Sequence, residues 1–150
     1  MKNLAMKKLQ ILILFFLIVF SACGQKPEIY SSANKAINGY DPVAYFTVKK
    51  PVKGSDQLKS TYKGANWHFS SAENKKLFDQ NPEKFLPQYG GYCAFGMAQG
   101  YKATTTPEAW TIVNEKLYLN YSLGVQNDWQ KDQTNMIQKA DKNWNTVKSK

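Results

Sequence analysis

The side chains in this sequence best suited to soft-metal or redox chemistry are few: two cysteines, Cys23 and Cys93, and a single histidine, His68. A thiolate is both a nucleophile and a soft-metal ligand, and imidazole is the commonest metal ligand. Cys93 lies in GGYCAFGMAQG (Gly90 to Gly100), which holds four of the nine glycines. So many glycines imply backbone in unusual conformations or in close approach to another group. Gly90, Gly91 and Gly96 are spaced to bring backbone N–H groups around the sulfur, which favours an anion. Met97, four residues on, offers a thioether suited to Cu(I). His68 stands between Trp67 and Phe69; if both are core, strand alternation turns His68 to an exposed or groove-lining face. Cys93, His68 and Met97 are therefore the candidate ligands for copper or another soft transition metal. Asp41 reads first as a helix N-cap and second as a ligand. The plainer readings are a buried inert cysteine, a surface histidine and a gap-filling methionine.

The inventory also excludes chemistry. One histidine and one free thiol cannot complete a Cys₂His₂ or His₃ zinc site in one chain. No phosphate loop or nucleophile-elbow serine is present, so hydrolase chemistry is not expected, and a binding protein is favoured over an enzyme. The 20 basic residues are all lysine, against 11 acids, for a formal net charge of +9. Without arginine, bidentate recognition of phosphates or base edges has no residue to perform it, and no nucleic-acid partner is expected.

Cys23 has a different setting. Lys2, Lys7 and Lys8 precede an unbroken apolar run, Ile11 to Phe20, and the small residues Ser21 and Ala22 then lead into the cysteine. A run this short does not cross a hydrocarbon core, which takes about 20 residues, and the layout is that of a signal peptide with a small-residue cleavage site. A cysteine directly after it resembles the bacterial lipobox, with Phe20 in place of the usual leucine. The expectation is a lipoprotein signal peptide over 1–22, then lipidated Cys23 and a polar tether through Lys35, then one domain over 36–148. Such a protein would face the periplasm or exterior of a bacterial cell envelope, held to the membrane by its N-terminal lipid. Cys93 would then be its one free thiol.

The elements that must position these residues read as a small α+β domain. It has short antiparallel strands and hairpins, flanking helices and a C-terminal amphipathic helix. Asp41-Pro42 starts a short helix, and Lys49 to Gln57 is a loop. Leu58 to Tyr62 and Asn66 to Phe69 are strands around Lys63-Gly64. Ser70 with Glu73 forms a capping box for a helix to Gln80, and Pro82 to Leu86 forms another. Leu77, Phe78, Phe85 and Leu86 supply the buried faces. Trp110 to Val113 pairs with Lys116 to Tyr121, and Ser122 to Val147 is helical, its apolar positions including Trp129, Ala140 and Trp144.

Several strings together resemble the YHS domain family: NGYDPVAYF (Asn38 to Phe46), YKGANWHFSSAENKKLF (Tyr62 to Phe78), NPEKF (Asn81 to Phe85) and YGGYCAFGMAQG (Tyr89 to Gly100). AWTIVNEKLYLNYS (Ala109 to Ser122) extends the likeness to secreted stand-alone bacterial members. Small YHS modules occur beside copper- and other metal-transporting ATPases, so the resemblance implies metal binding. In those modules one cysteine follows Asp-Pro-Val and another follows the aromatic-aromatic-Phe string; here the positions are Ala44 and Ser70. Some longer-branch members are described as selenoproteins, which implies a chemically used thiol at the position of Cys93. The resemblance thus points to a lipid-anchored metal-binding module using Cys93 with His68. A thiol redox protein using Cys93, and a non-catalytic interaction domain with an envelope protein partner, are the alternatives.

Overall fold

The computed structural model describes residues 26–150; the signal-peptide and Cys23 lipidation expectations lie outside the described residues. Four strands form one sheet: β1 (Ser31–Ser32), β2 (Lys35–Ala36), β3 (Ser55–Tyr62) and β4 (Ala65–Phe69). Their order is β1-β2-β4-β3, antiparallel except where β2 runs parallel to β4. A separate hairpin pairs β5 (Trp110–Val113) with β6 (Lys116–Leu119). The helices are α1 (Ala44–Thr47), α2 (Ala72–Gln80), α3 (Pro82–Phe85), α4 (Ala94–Ala98), α5 (Leu123–Lys131) and α6 (Gln133–Val147). This is the α+β class that the sequence pattern indicates. Among the described residues no helix is long and apolar enough to cross a membrane.

Two apolar clusters hold these elements. The first joins the four-stranded sheet to α2 and α3 through Trp67, Phe69, Phe78 and Phe85, and takes in Leu117 and Leu119 of β6. Phe78 packs against Tyr62, Trp67 and Phe69 with ring centroids 5.1–6.1 Å apart. The second joins α4, α5 and α6 around Tyr89, Tyr92, Met97, Tyr118, Trp129 and Ala140. Each fully buried large side chain contributes about 1.5–3 kcal/mol through water exclusion. The hairpin β5–β6 bridges the clusters: Leu117 and Leu119 point into one, Tyr118 into the other, as strand alternation requires.

Local departures from the sequence pattern have identifiable causes. The N-cap of α2 is Ser71, whose hydroxyl accepts from Asn74 N–H at 3.1 Å, because Ser70 is occupied elsewhere. Leu77 is exposed, leaving Phe78 as the buried residue of α2. β3 begins at Ser55 inside the expected loop, with its register shifted between Ser55 and Lys59. The expected C-terminal helix breaks at Asp132, whose backbone is non-helical (φ −140, ψ 48), so Trp129 and Ala140 can enter the same cluster from two directions. Lys26 to Lys35 does not run free as a polar tether. Ile29 is buried, Tyr30 N–H donates to Gly90 O at 2.9 Å, and Ser31–Ser32 is a strand.

Candidate metal and thiol site

Cys93 is the residue before α4, and only 1% of its surface is exposed. Its sulfur accepts the Gly96 N–H at 3.4 Å and donates to Asn120 Oδ1 at 3.6 Å. The same Asn120 oxygen accepts Phe95 N–H at 3.1 Å, which fixes the carboxamide with its oxygen toward the thiol. Asn120 is fully buried, and its Nδ2 has no partner. The backbone around the sulfur is held from the other side by Cys93 N–H donating to Ala103 O at 3.0 Å. Gly96 is closely packed, since a Cβ there would meet Tyr101 Cε2 at 3.1 Å and Ala103 Cβ at 3.3 Å and press each to give by a few tenths of an ångström. The thiol therefore lies in a closed niche with polar walls, inside an otherwise apolar region. Met97 follows one turn along α4, fully buried in the second cluster.

His68 is in another place, with other partners. It is 4% exposed although its neighbours Trp67 and Phe69 are also buried, which corrects the expectation of an exposed or groove-lining face. Both faces of β4 are covered here. Gly54 lies against the outer face so closely that a Cβ on it would fall 2.6 Å from His68 Cβ and 2.4 Å from the His68 carbonyl carbon. The turn holds through Gly54 N–H to Gly39 O (2.9 Å) and the Tyr40–Lys53 bridge. His68 Nε2 is 3.3 Å from Asp56 Oδ1, and its Nδ1 is buried without a partner. Burial chiefly, with help from the Lys35 ammonium, holds the imidazole below its usual pKa, and Asp56 opposes them. Lys35 in turn pairs with Asp56 and lowers its carboxyl pKa.

Asp41 forms a third focus. It is fully buried, and its two oxygens take five donors. Oδ1 accepts Val43 N–H (2.9 Å) and Ala44 N–H (3.3 Å), the capping role expected of it. Oδ2 accepts Ser70 N–H (2.8 Å), Ser70 Oγ–H (2.6 Å) and Asn74 Nδ2–H (2.7 Å). The carboxylate thus joins α1, β4 and α2. Ala44 and Ser70, the two positions where the short ATPase-linked modules carry cysteines, both meet this one carboxylate. With its lone pairs engaged by five donors and neither cysteine present, this focus does not suit a soft metal.

Among the described residues, no group of three or more His, Cys, Asp or Glu side chains could hold a metal ion. A tetrahedral zinc centre or a hard-cation cage is therefore not assembled within them. The sulfur-bearing residues of this region are Cys93 and Met97, four positions apart, with Met97 packed in the second apolar cluster. The hydrogen-bonding partners of Cys93 and His68 include no common residue. Asn120 was not singled out from sequence: it follows β6, and only the fold carries it to α4.

A small mixed α+β domain, with a buried carboxylate joining strand to helices and a separate enclosed thiol, is what fold and site define. Residues 43–89 match the model of the YHS domain family. A metal-binding role is consistent with that family. His68 lies inside the matched segment, whereas Asp41 precedes it and Cys93, Met97 and Asn120 follow it. No curated protein and no solved structure matches the chain.

Proposed function

We propose that this protein is a YHS module tethered by a lipid on Cys23 to the bacterial cell envelope, where it binds a soft metal ion, copper(I) foremost. Cys93 supplies the thiolate and Met97 the second sulfur. The observation that carries the reading is the polar niche around the sulfur: a backbone N–H aimed at it, beside a buried carboxamide with an unused donor. Cu(I) is satisfied by few, soft ligands and tolerates a dry site. His68, with its own partner Asp56, enters as a ligand only if that pairing opens. The envelope location rests on the N-terminal sequence pattern.

The test is Cu(I) loading of the purified protein in competition with a chromogenic chelator. Cys93→Ser should lower affinity at least tenfold and Met97→Leu by less, while His68→Gln should change it little. Affinity unchanged by Cys93→Ser overturns the assignment. The thiol-redox alternative is less favoured, because a sulfur with 1% exposure meets bulky disulfides only when the surrounding structure opens.

A further inference from the structure

Lys102 is a lysine with 7% exposure, and what buries it is the two ends of the described chain. Its ammonium donates to four main-chain oxygens: Lys26 at 2.8 Å, Pro27 at 3.2 Å, Lys148 at 3.0 Å and Lys150 at 3.2 Å. It also stands over the rings of Tyr92 (5.4 Å) and Trp144 (5.9 Å). Lys26 returns the contact, donating from Nζ to Lys102 O at 2.8 Å. Tyr92 Oη–H donates to Pro27 O at 2.8 Å. Lys26 and Pro27, the first of the described residues, are therefore fastened to the folded body. Lys26, Lys148 and Lys150 converge on this spot with exposed side chains. Glu28 is the acid whose field reaches Lys102 there.

The length of chain before Lys26 limits how far this face can stand from a membrane. Two residues, Gly24 and Gln25, separate Cys23 from Lys26, so three Cα-to-Cα steps give a reach of about 10 Å at full extension. That is comparable to the screening distance of about 8–10 Å at physiological salt, so lysines on this face act on lipid headgroups across it. We infer that the face carrying Lys26, Lys148 and Lys150 lies against the headgroups of an anionic bilayer, and that Lys102 sets this orientation by clasping both chain ends. The inference rests on the tethered reading above and adds to it the surface that meets the membrane.

The experiment uses the full lipidated chain, reconstituted into vesicles of phosphatidylcholine alone or with about one-third phosphatidylglycerol. Lysines are labelled with a water-soluble amine-reactive ester and read one by one by mass spectrometry. Lys26, Lys148 and Lys150 should label several-fold more slowly on the anionic vesicles, and the difference should vanish at high salt. Lys49 and Lys50, on the loop after α1, should label alike on both. Protein that floats with the vesicles but labels equally on both overturns the orientation and leaves the tether standing. Protein that fails to float with either overturns the tether, and the orientation with it.

Discussion

Asp41 and His68 are buried polar side chains with opposite hydrogen-bonding states, and substitution should separate them. Asp41→Ala strands five donors, among them the Ser70 and Ala44 N–H groups, and should cost about 3 kcal/mol or more. Asp41→Asn should not restore the loss, since its amide would turn N–H groups toward N–H groups. Urea unfolding measures both, and a change under about 1 kcal/mol for the alanine variant would show that water replaces the carboxylate freely. His68 makes a pH prediction. Its folded pKa is depressed, so its contribution to stability is complete above the unfolded value of about 6.5 and is lost as pH falls below it. The titratable groups that face it are Lys35, Asp56 and Lys59. The urea midpoint should drop below pH 6.5, and His68→Gln should flatten the drop; an unchanged slope in the variant would dismiss the imidazole as its source. Asp41 was legible as a cap because Asp-Pro has local meaning. Its second oxygen was not, because Ser70 and Asn74 reach it only after β4 and α2 are placed.

At the scale of elements, alternation along β4 was readable and gave Trp67 and Phe69 as core, but it gave the wrong environment for His68. Period-two patterning says which residues share a face, not whether a later turn covers the other one. Gly54 provides that cover, and its role is testable. Gly54→Ala would force its Cβ into the His68 backbone, so the turn must lift off β4. The variant should lose about 2 kcal/mol or more, and His68 should gain exposure. A His68 proton resonance titrating near 6.5 would report the opening, whereas an unshifted titration would mean that the strand moves instead. The break at Asp132 was hidden for a related reason. Ser122 to Val147 carries apolar residues at helical spacing on both sides of it, and only the shared cluster with Tyr118 demands a change of direction.

For the whole molecule, the enclosed thiol and the clasped ends make separate demands on motion. If Cys93 is reached only by local opening, a bulky aromatic disulfide should react with the native protein orders of magnitude more slowly than with the protein in urea. A native rate close to that of a free thiol would mean an open path to the sulfur. Lys102→Met removes the ammonium that four carbonyls share, and it should loosen 26–30 and the end of α6 together. Amide hydrogen exchange should then quicken in both segments while β3 and β4 stay protected; loss at one end alone would deny the coupling. The fold class was within reach of sequence because its helices and hairpins are locally encoded. The clasp was not, since Lys102 reads as one surface lysine among twenty until positions 76 and 46 residues away meet it.

That meeting has a topological consequence. The oxygens of Lys26 and Lys148 lie 2.8 and 3.0 Å from one nitrogen, so they are no farther apart than those two distances laid end to end. A linker of a few glycines would therefore join position 148 to position 26 without disturbing either cluster. The chain could then be cut afresh at the exposed Lys63-Gly64 turn, where a Cβ on Gly64 would meet nothing, to give a circularly permuted protein with the same interior.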